Sequence, residues 1–258
     1  MQQTMRAAWF GFEKHWTWYR RNWRATAVSS FLTPVLFLLA IGIGFGSQVQ
    51  STELLGGVPF LQYITPGVIV VTALQGAAFE STYAIMSAFV WQKTYVAMVA
   101  TPITPAQVFF GQVLWVGAQL FARSVVFLGI AAVLGAVTGP ADLLSIPAAT
   151  LAGLAFSCPL IAYSATLDKP DGFTTIFRFV LIPMSLFTGA YFPVSQLPDW
   201  FLPLVWITPA WHGIELARGA AFGTLGLLPA LGHVAYLVAL TAVGIAFAVR
   251  FYHRRLAV

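Results

Sequence analysis

Charge is what this sequence has least of. Asp, Glu, Lys and Arg together make up 8% of its 258 residues, against about 25% in an ordinary soluble domain. Such a chain cannot cover its own surface in water. Its 59% hydrophobic content and mean hydropathy of +0.82 agree, and the implied class is an integral membrane protein. Cysteine is reduced to one residue, Cys158, which excludes an internal disulfide. Its place in an apolar run makes it a buried structural thiol. No G-x-x-x-x-G-K-[ST] phosphate loop occurs, so this chain does not hydrolyse ATP by that route. H-E-x-x-H and G-x-S-x-G are also missing. His15, His212, His233 and His253 are scattered, and no two share a helical spacing. Neither a metal site nor a catalytic residue is therefore expected. Long repeats, low-complexity tracts and soluble stretches are absent too, so residues 1–258 read as a single transmembrane domain.

What is present is a succession of apolar runs flanked by basic residues. The net charge of +5 and pI near 9.6 could suggest a nucleic-acid partner. The basic residues cluster at the ends of apolar runs instead, as topology determinants do, and nucleic acid is excluded on that ground. Residues 4–24 are aromatic and basic. Trp9, Phe12, Trp16, Tyr19 and Trp23 are spaced to share one helical face. This predicts an amphipathic helix lying in the membrane interface. No secretory signal opens the chain, because roughly two dozen residues precede a first run long enough to span.

The fold class predicted is all-α, with six transmembrane helices at about 25–46, 61–85, 107–135, 144–167, 175–192 and 229–251. Gly42 and Gly46 form a small-xxx-small pair in the first. Asp168–Gly172 reads as a turn. The segment 193–228 is rich in Trp and Leu but broken by Pro198, Pro203 and Pro209. It could be a seventh span, and the charges decide otherwise. With six spans, Arg6, Lys14, Arg20, Arg21, Arg24, Lys93, Lys169, Arg178, Arg250, Arg254 and Arg255 share the cytosolic side. Only Arg218 among the basic residues lies outside. A seventh span would place the C-terminal basic cluster outside, against the positive-inside rule. The segment 193–228 is therefore predicted to dip into the outer leaflet as two short re-entrant helices. Both termini are cytosolic on this reading.

Between the second and third spans lies WQKTYVAMVATPITP, 91–105. It is mostly uncharged, yet not apolar enough to span. A short cytosolic helix over about 91–100 is predicted, running from Gln92 to Val99. Pro102 and Pro105 break it, because each removes a backbone donor and disfavours helix at Thr101 and Thr104. This stretch reads as a lever on which a partner protein pushes.

Two charges fall inside spans. Arg123 sits about halfway along the third, where arginine costs roughly 2.5–3.5 kcal/mol on insertion scales. It must face the bundle interior, a cavity or a partner. Glu80 lies nearer the inner end of the second. At 1.5 Å per residue, Arg123 stands about 22 Å above the inner end of its span and Glu80 about 8 Å above its own. A direct pair requires the second helix to run well past Ile85. Both residues are candidates for a translocation pathway. The alternative is a structural contact between helices.

The residues at this point resemble a known family, the permease subunits of ABC type-2 exporters, nearest the lipooligosaccharide and drug exporter branch. Three blocks carry the resemblance: Phe79–Tyr83 through Gln92–Tyr95 to Ala100–Pro105; Leu186–Pro193 with Leu197-Pro198; and Thr208-Pro209 with His212, Glu215, Leu216, Arg218 and Gly219. The resemblance implies six spans, an interfacial N-terminal helix and short external helices. It also implies a coupling helix against a separate ABC ATPase subunit, with Trp91, Gln92, Lys93, Thr94, Tyr95, Thr101 and Pro102 as the contact residues. The partners would be that ATPase and a second permease chain, identical or homologous, within the lipid of the bacterial cytoplasmic (inner) membrane. This chain would bind no cofactor, and ATP and Mg would sit in the partner. The substrate class would be amphipathic: a lipid, glycolipid or hydrophobic drug, moved by alternating access. The rival reading is a stand-alone channel or carrier with no ATPase. A lipid-modifying enzyme fits poorly, because Asp168 and Asp171 are predicted on the side opposite Asp199.

Overall fold

The computed structural model describes residues 35–45, Leu55 and 57–256, with Glu13, Trp16, Thr17, Tyr19 and Arg20 of the N-terminal stretch. Every regular element among the described residues is a helix. We number them α1 (35–45), α2 (Phe60–Trp91), α3 (Thr94–Val99), α4 (Pro105–Val133) and α5 (Pro140–Ser164). Then follow α6 (171–187), α7 (Leu202–Trp206), α8 (Pro209–Phe222) and α9 (Leu227–Leu256). Four of these, α2, α4, α5 and α9, are long and apolar enough to cross a membrane. The interfacial helix expected at 4–24 lies largely outside the described residues, as does the first half of the span expected at 25–46. The five described N-terminal positions are helical, and Tyr19 packs edge-on to Trp115 of α4, 6.0 Å between centroids.

The centre of the bundle is α5, and its composition explains why. Ala148, Ala149, Ala152, Gly153 and Ala155 are buried, so neighbouring backbones can approach closely, the usual basis of helix association in membranes. A side chain added at Gly213 of α8 would collide with Ala152 and Val70. Hydroxyls join the helices where the core is tightest. Ser81 and Ser157 lie 2.6 Å apart, and Ser164 donates to the Ser81 carbonyl at 2.6 Å. That carbonyl is available because α2 is offset at Thr82 (φ −112°, ψ −90°). A helix offset needs such a local cause.

The helix ends follow capping chemistry. Thr104 and Gln107 form a reciprocal capping box, with Pro105 in the first turn of α4. Thr208 caps α8, which stops at Gly223 in the left-handed region. Asp142, in the turn before α5, is buried. Its carboxylate accepts from the Thr138 and Gly139 amides and from the Thr138 hydroxyl, all within 2.9 Å.

Several boundaries differ from expectation, among them the ends of α9, which runs over Leu227–Leu256 where 229–251 was expected. The second helix continues six residues past Ile85, to Trp91. Its final turn, Ser87–Trp91, is wound as π-helix. The helix predicted at 175–192 runs over 171–187, through Asp171–Ile176, Phe177–Leu181 and Ile182–Phe187. Asp171 favours a helix start, and Gly189 at φ +90° follows its end. In the 193–228 segment, 3-10 turns at Val194–Gln196 and Asp199–Phe201 lead into the two short helices α7 and α8.

Candidate functional site

One end of the bundle collects Lys93, Lys169, Arg250, Arg254 and Arg255. There the chain leaves α2, bends, and forms α3. The bend is at Lys93, the only described non-glycine residue with positive φ (52°). The helix therefore starts at Thr94, two residues later than expected. It has six residues, too few to be stable alone in water, and tertiary contacts hold it.

Those contacts run through Tyr95, which is 2% exposed. Its ring meets Phe89 at 4.9 Å and Tyr252 at 5.6 Å, and Phe109 lies edge-on to Tyr252 at 5.5 Å. Burial pushes the Tyr95 phenol well above the usual tyrosine range, so it stays protonated. The hydroxyl donates to Gln112 Oε1 at 3.0 Å. Arg255 closes the same end. It donates to the carbonyls of Ala165 and Leu167, pairs with Asp168 at 2.6 Å, and lies over the Phe89 ring.

The predicted contact residues thus divide. Trp91, Gln92, Lys93, Thr101 and Pro102 are exposed, as are Val96 and Ala97. Thr94 is half-buried. Tyr95 points inward and anchors the helix. A six-residue helix has too little periodicity to disclose its buried face from sequence.

Arg123 and Glu80 do meet, Nη2 to Oε1 at 3.1 Å. The six extra residues of α2 raise Glu80 by about 9 Å, while the earlier start of α4 at Pro105 raises Arg123 by about 3 Å, so the gap narrows by about 6 Å. The rest lies within an arginine's reach. Gly76 makes room, since a Cβ there would stand 2.7 Å from the guanidinium. Each side chain keeps about a quarter of its surface exposed, 24% and 22%.

At the other end of the bundle, the structure joins two histidines that sequence spacing left apart. His212 of α8 and His233 of α9 approach Nδ1 to Nδ1 at 2.8 Å. The Trp206 carbonyl, 2.9 Å from His212 Nε2, can only accept, so that nitrogen carries the proton. His212 Nδ1 is then the acceptor and His233 donates to it. Among the described residues no cluster of three or more His, Cys, Asp or Glu could hold a metal. Burial lowers the pKa of His212 to about 4, and the facing His233 adds to this; the Trp206 carbonyl opposes it. Tyr236 of α9 stacks on the same ring, and Glu215 lies one turn along α8. The folded value lies below the ordinary 6.5, so neutral His212 stabilises the fold above about pH 6.5. That contribution is lost as pH falls from 6.5 toward 4. The thermal midpoint of the protein in detergent is expected to drop across this interval, and to drop less in His212→Phe. Parallel profiles in the two proteins would refute this.

The basic end presents a small clamped helix, and among the described residues the long apolar helices share the Glu80–Arg123 ion pair. This defines a multi-pass helical membrane protein. The chain belongs to the ABC-2 type transporter family, whose sequence model matches residues 7–222. Relatives include the Nodulation protein J of Sinorhizobium fredii (strain NBRC 101917 / NGR234), 29% identical over 93% of this chain and 94% of that protein. The Nodulation protein J of Rhizobium leguminosarum bv. viciae is 30% identical, over 80% and 81% of the two chains. That of Rhizobium meliloti (strain 1021) is 28% identical, over 81% and 82%. The chain is the membrane subunit of an ABC exporter and not itself an ATPase. Subunits of this kind normally work with an ABC ATPase subunit.

Proposed function

We propose that this chain moves an amphipathic substrate, a lipid, glycolipid or hydrophobic drug, out across the bacterial cytoplasmic membrane by alternating access. A separate ATPase subunit, which carries ATP and Mg, supplies the energy. Two permease chains pair to form the path. The basic end is cytosolic by the positive-inside rule, so α3 faces the motor, and both chain ends lie on that side. The full topology is six spans with an interfacial N-terminal helix. Residues 1–258 form one domain, and 193–228 is a re-entrant external segment. Glu80 and Arg123 line the path, since a charge pair held within the apolar part of a span is a functional candidate by default.

The observation that carries this reading is the division of the 91–102 stretch. Tyr95 is locked into the bundle while Trp91, Gln92, Lys93, Thr101 and Pro102 are exposed. A fixed foundation with an exposed crest is what a lever requires. Thr94 belongs to its edge.

Replacing Trp91 and Lys93 together by Ala removes the crest and leaves the foundation. The double variant is expected to reach the membrane in normal amount and keep its thermal midpoint. Its affinity for the co-expressed ATPase subunit should fall by roughly tenfold or more, a loss of about 1.4 kcal/mol or more. ATP-dependent movement of a fluorescent-headgroup phospholipid across proteoliposomes should be lost with it. Unchanged ATPase binding would remove the coupling role from this stretch. Phospholipid movement by the permease alone, without nucleotide, would favour a channel or carrier.

A further inference from the structure

The clamped helix and the intramembrane ion pair are joined by a hydrogen-bonded chain. Tyr95 of α3 donates its hydroxyl proton to Gln112 Oε1 of α4 at 3.0 Å. Gln112 Nε2 donates to the backbone carbonyl of Glu80 in α2 at 3.4 Å. The Glu80 carboxylate accepts from Arg123 Nη2 at 3.1 Å. Gln112 is 2% exposed and Tyr95 also 2%. The buried amide uses its oxygen toward α3 and its nitrogen toward α2.

We infer that Gln112 is the positioning residue through which displacement of α3 reaches the Glu80–Arg123 pair. The inference rests on α3 being the surface against the motor, and it deepens that reading by naming the route inward. Three properties of Gln112 suit it to this role. Its primary amide offers both a donor and an acceptor, so it can bridge two unlike partners at once. Its position is desolvated, where a broken hydrogen bond is not replaced by water. Its partner in α2 is the peptide carbonyl of the ion-paired residue itself. Shifting that carbonyl shifts the Cα from which the Glu80 side chain hangs.

Leu at position 112 keeps the approximate volume and removes both bonds. Phe at position 95 removes one oxygen and breaks the first link, together with the contact between the Tyr95 and Tyr252 hydroxyls. Neither change touches the exposed crest, so both variants should bind the ATPase as wild type does.

The test reads water access beside the ion pair. Ala122, adjacent to Arg123 and exposed in this chain, is changed to Cys in the full complex in nanodiscs. The native Cys158 is fully buried and contributes little background labelling. Maleimide labelling at 122 is timed with and without ATP and vanadate. In the parent protein, nucleotide is expected to change the rate. In Gln112→Leu and in Tyr95→Phe that change should shrink by at least about fivefold, the lower range for coupling between sites, while ATPase binding and ATP hydrolysis persist. Combining the two substitutions should add little, because both cut one chain. An undiminished nucleotide response in both variants overturns the role of Gln112 alone. An absent response in the parent, with ATPase bound and hydrolysing, overturns the inward route and the lever reading together. If Gln112→Leu fails to fold, Tyr95→Phe decides the matter, since it deletes a single atom and keeps the aromatic packing.

Discussion

Arg123→Leu is expected to lower the thermal midpoint and the membrane yield more than any other single change to the polar groups of the bundle. Removing one member of a buried pair strands the other. The general cost is about 3–5 kcal/mol. The side chains here keep about a quarter of their surface, which places the cost near the lower figure. Glu80 would be left within the apolar stretch of α2, with no other described side-chain partner. The double variant Glu80→Leu with Arg123→Leu replaces the pair by packed apolar groups, a change that is often neutral. It should recover most of the lost midpoint. Phospholipid movement separates the two roles. If the pair lines the path, the recovered double variant stays inactive with its ATPase bound. Full activity in that variant would leave the pair as a packing contact between α2 and α4.

That this pair forms was only half legible in the sequence. The two charges announced themselves as intramembrane, but their heights disagreed by about 14 Å. The disagreement narrowed because Ser87–Trp91 stays helical, and the arginine side chain spans what remains. Nothing in SAFVW marks a stop: it has neither proline nor glycine, and Ala88 and Phe89 are buried against the bundle. Ends marked by punctuation are legible in a short window, although the third span was expected only from Gln107 and no helix start was set at Thr208. Thr104-Pro105 opens α4, and the Thr208-Pro209 pair opens α8, by local chemistry that any short window displays. Contacts between distant segments had no such signal. His212 and His233 are 21 residues apart on different helices. Tyr95 was singled out for the right segment but the wrong face, because burial in a six-residue helix is decided by Phe89, Phe109 and Tyr252 rather than by its own pattern. Gly244 and Ala248 of α9 are both buried and repeat the spacing of Gly42 and Gly46.

Gly244→Ala carries the second large effect. Most of α9 faces away from the bundle, and a narrow stripe of Leu237, Gly244, Ala248, Tyr252 and Leu256 is buried. At Gly244 the helix touches Pro159 and Cys158 of α5. A Cβ there would lie 2.5 Å from the proline ring and its nitrogen, and 2.8 Å from the Cys158 carbonyl carbon. Backbone and ring atoms cannot swing aside as a flexible side chain would. The methyl must push α9 outward, at roughly 1–3 kcal/mol for overpacking. Gly232 of the same helix faces open space, and Ala there should gain up to about 1 kcal/mol of helix propensity. The expected result is a lower thermal midpoint for Gly244→Ala and an equal or higher one for Gly232→Ala. Equal midpoints would mean that α9 does not seat on Pro159. The same displacement has a consequence at the basic end. Two turns beyond Gly244, Tyr252 packs on Tyr95, and Arg255 lies over Phe89. A helix lifted at Gly244 withdraws part of the foundation under α3. Gly244→Ala should therefore weaken ATPase stimulation as well as stability, while Gly232→Ala should leave both intact. Loss of midpoint with undiminished ATPase stimulation would show that α9 seats the bundle but does not support the lever.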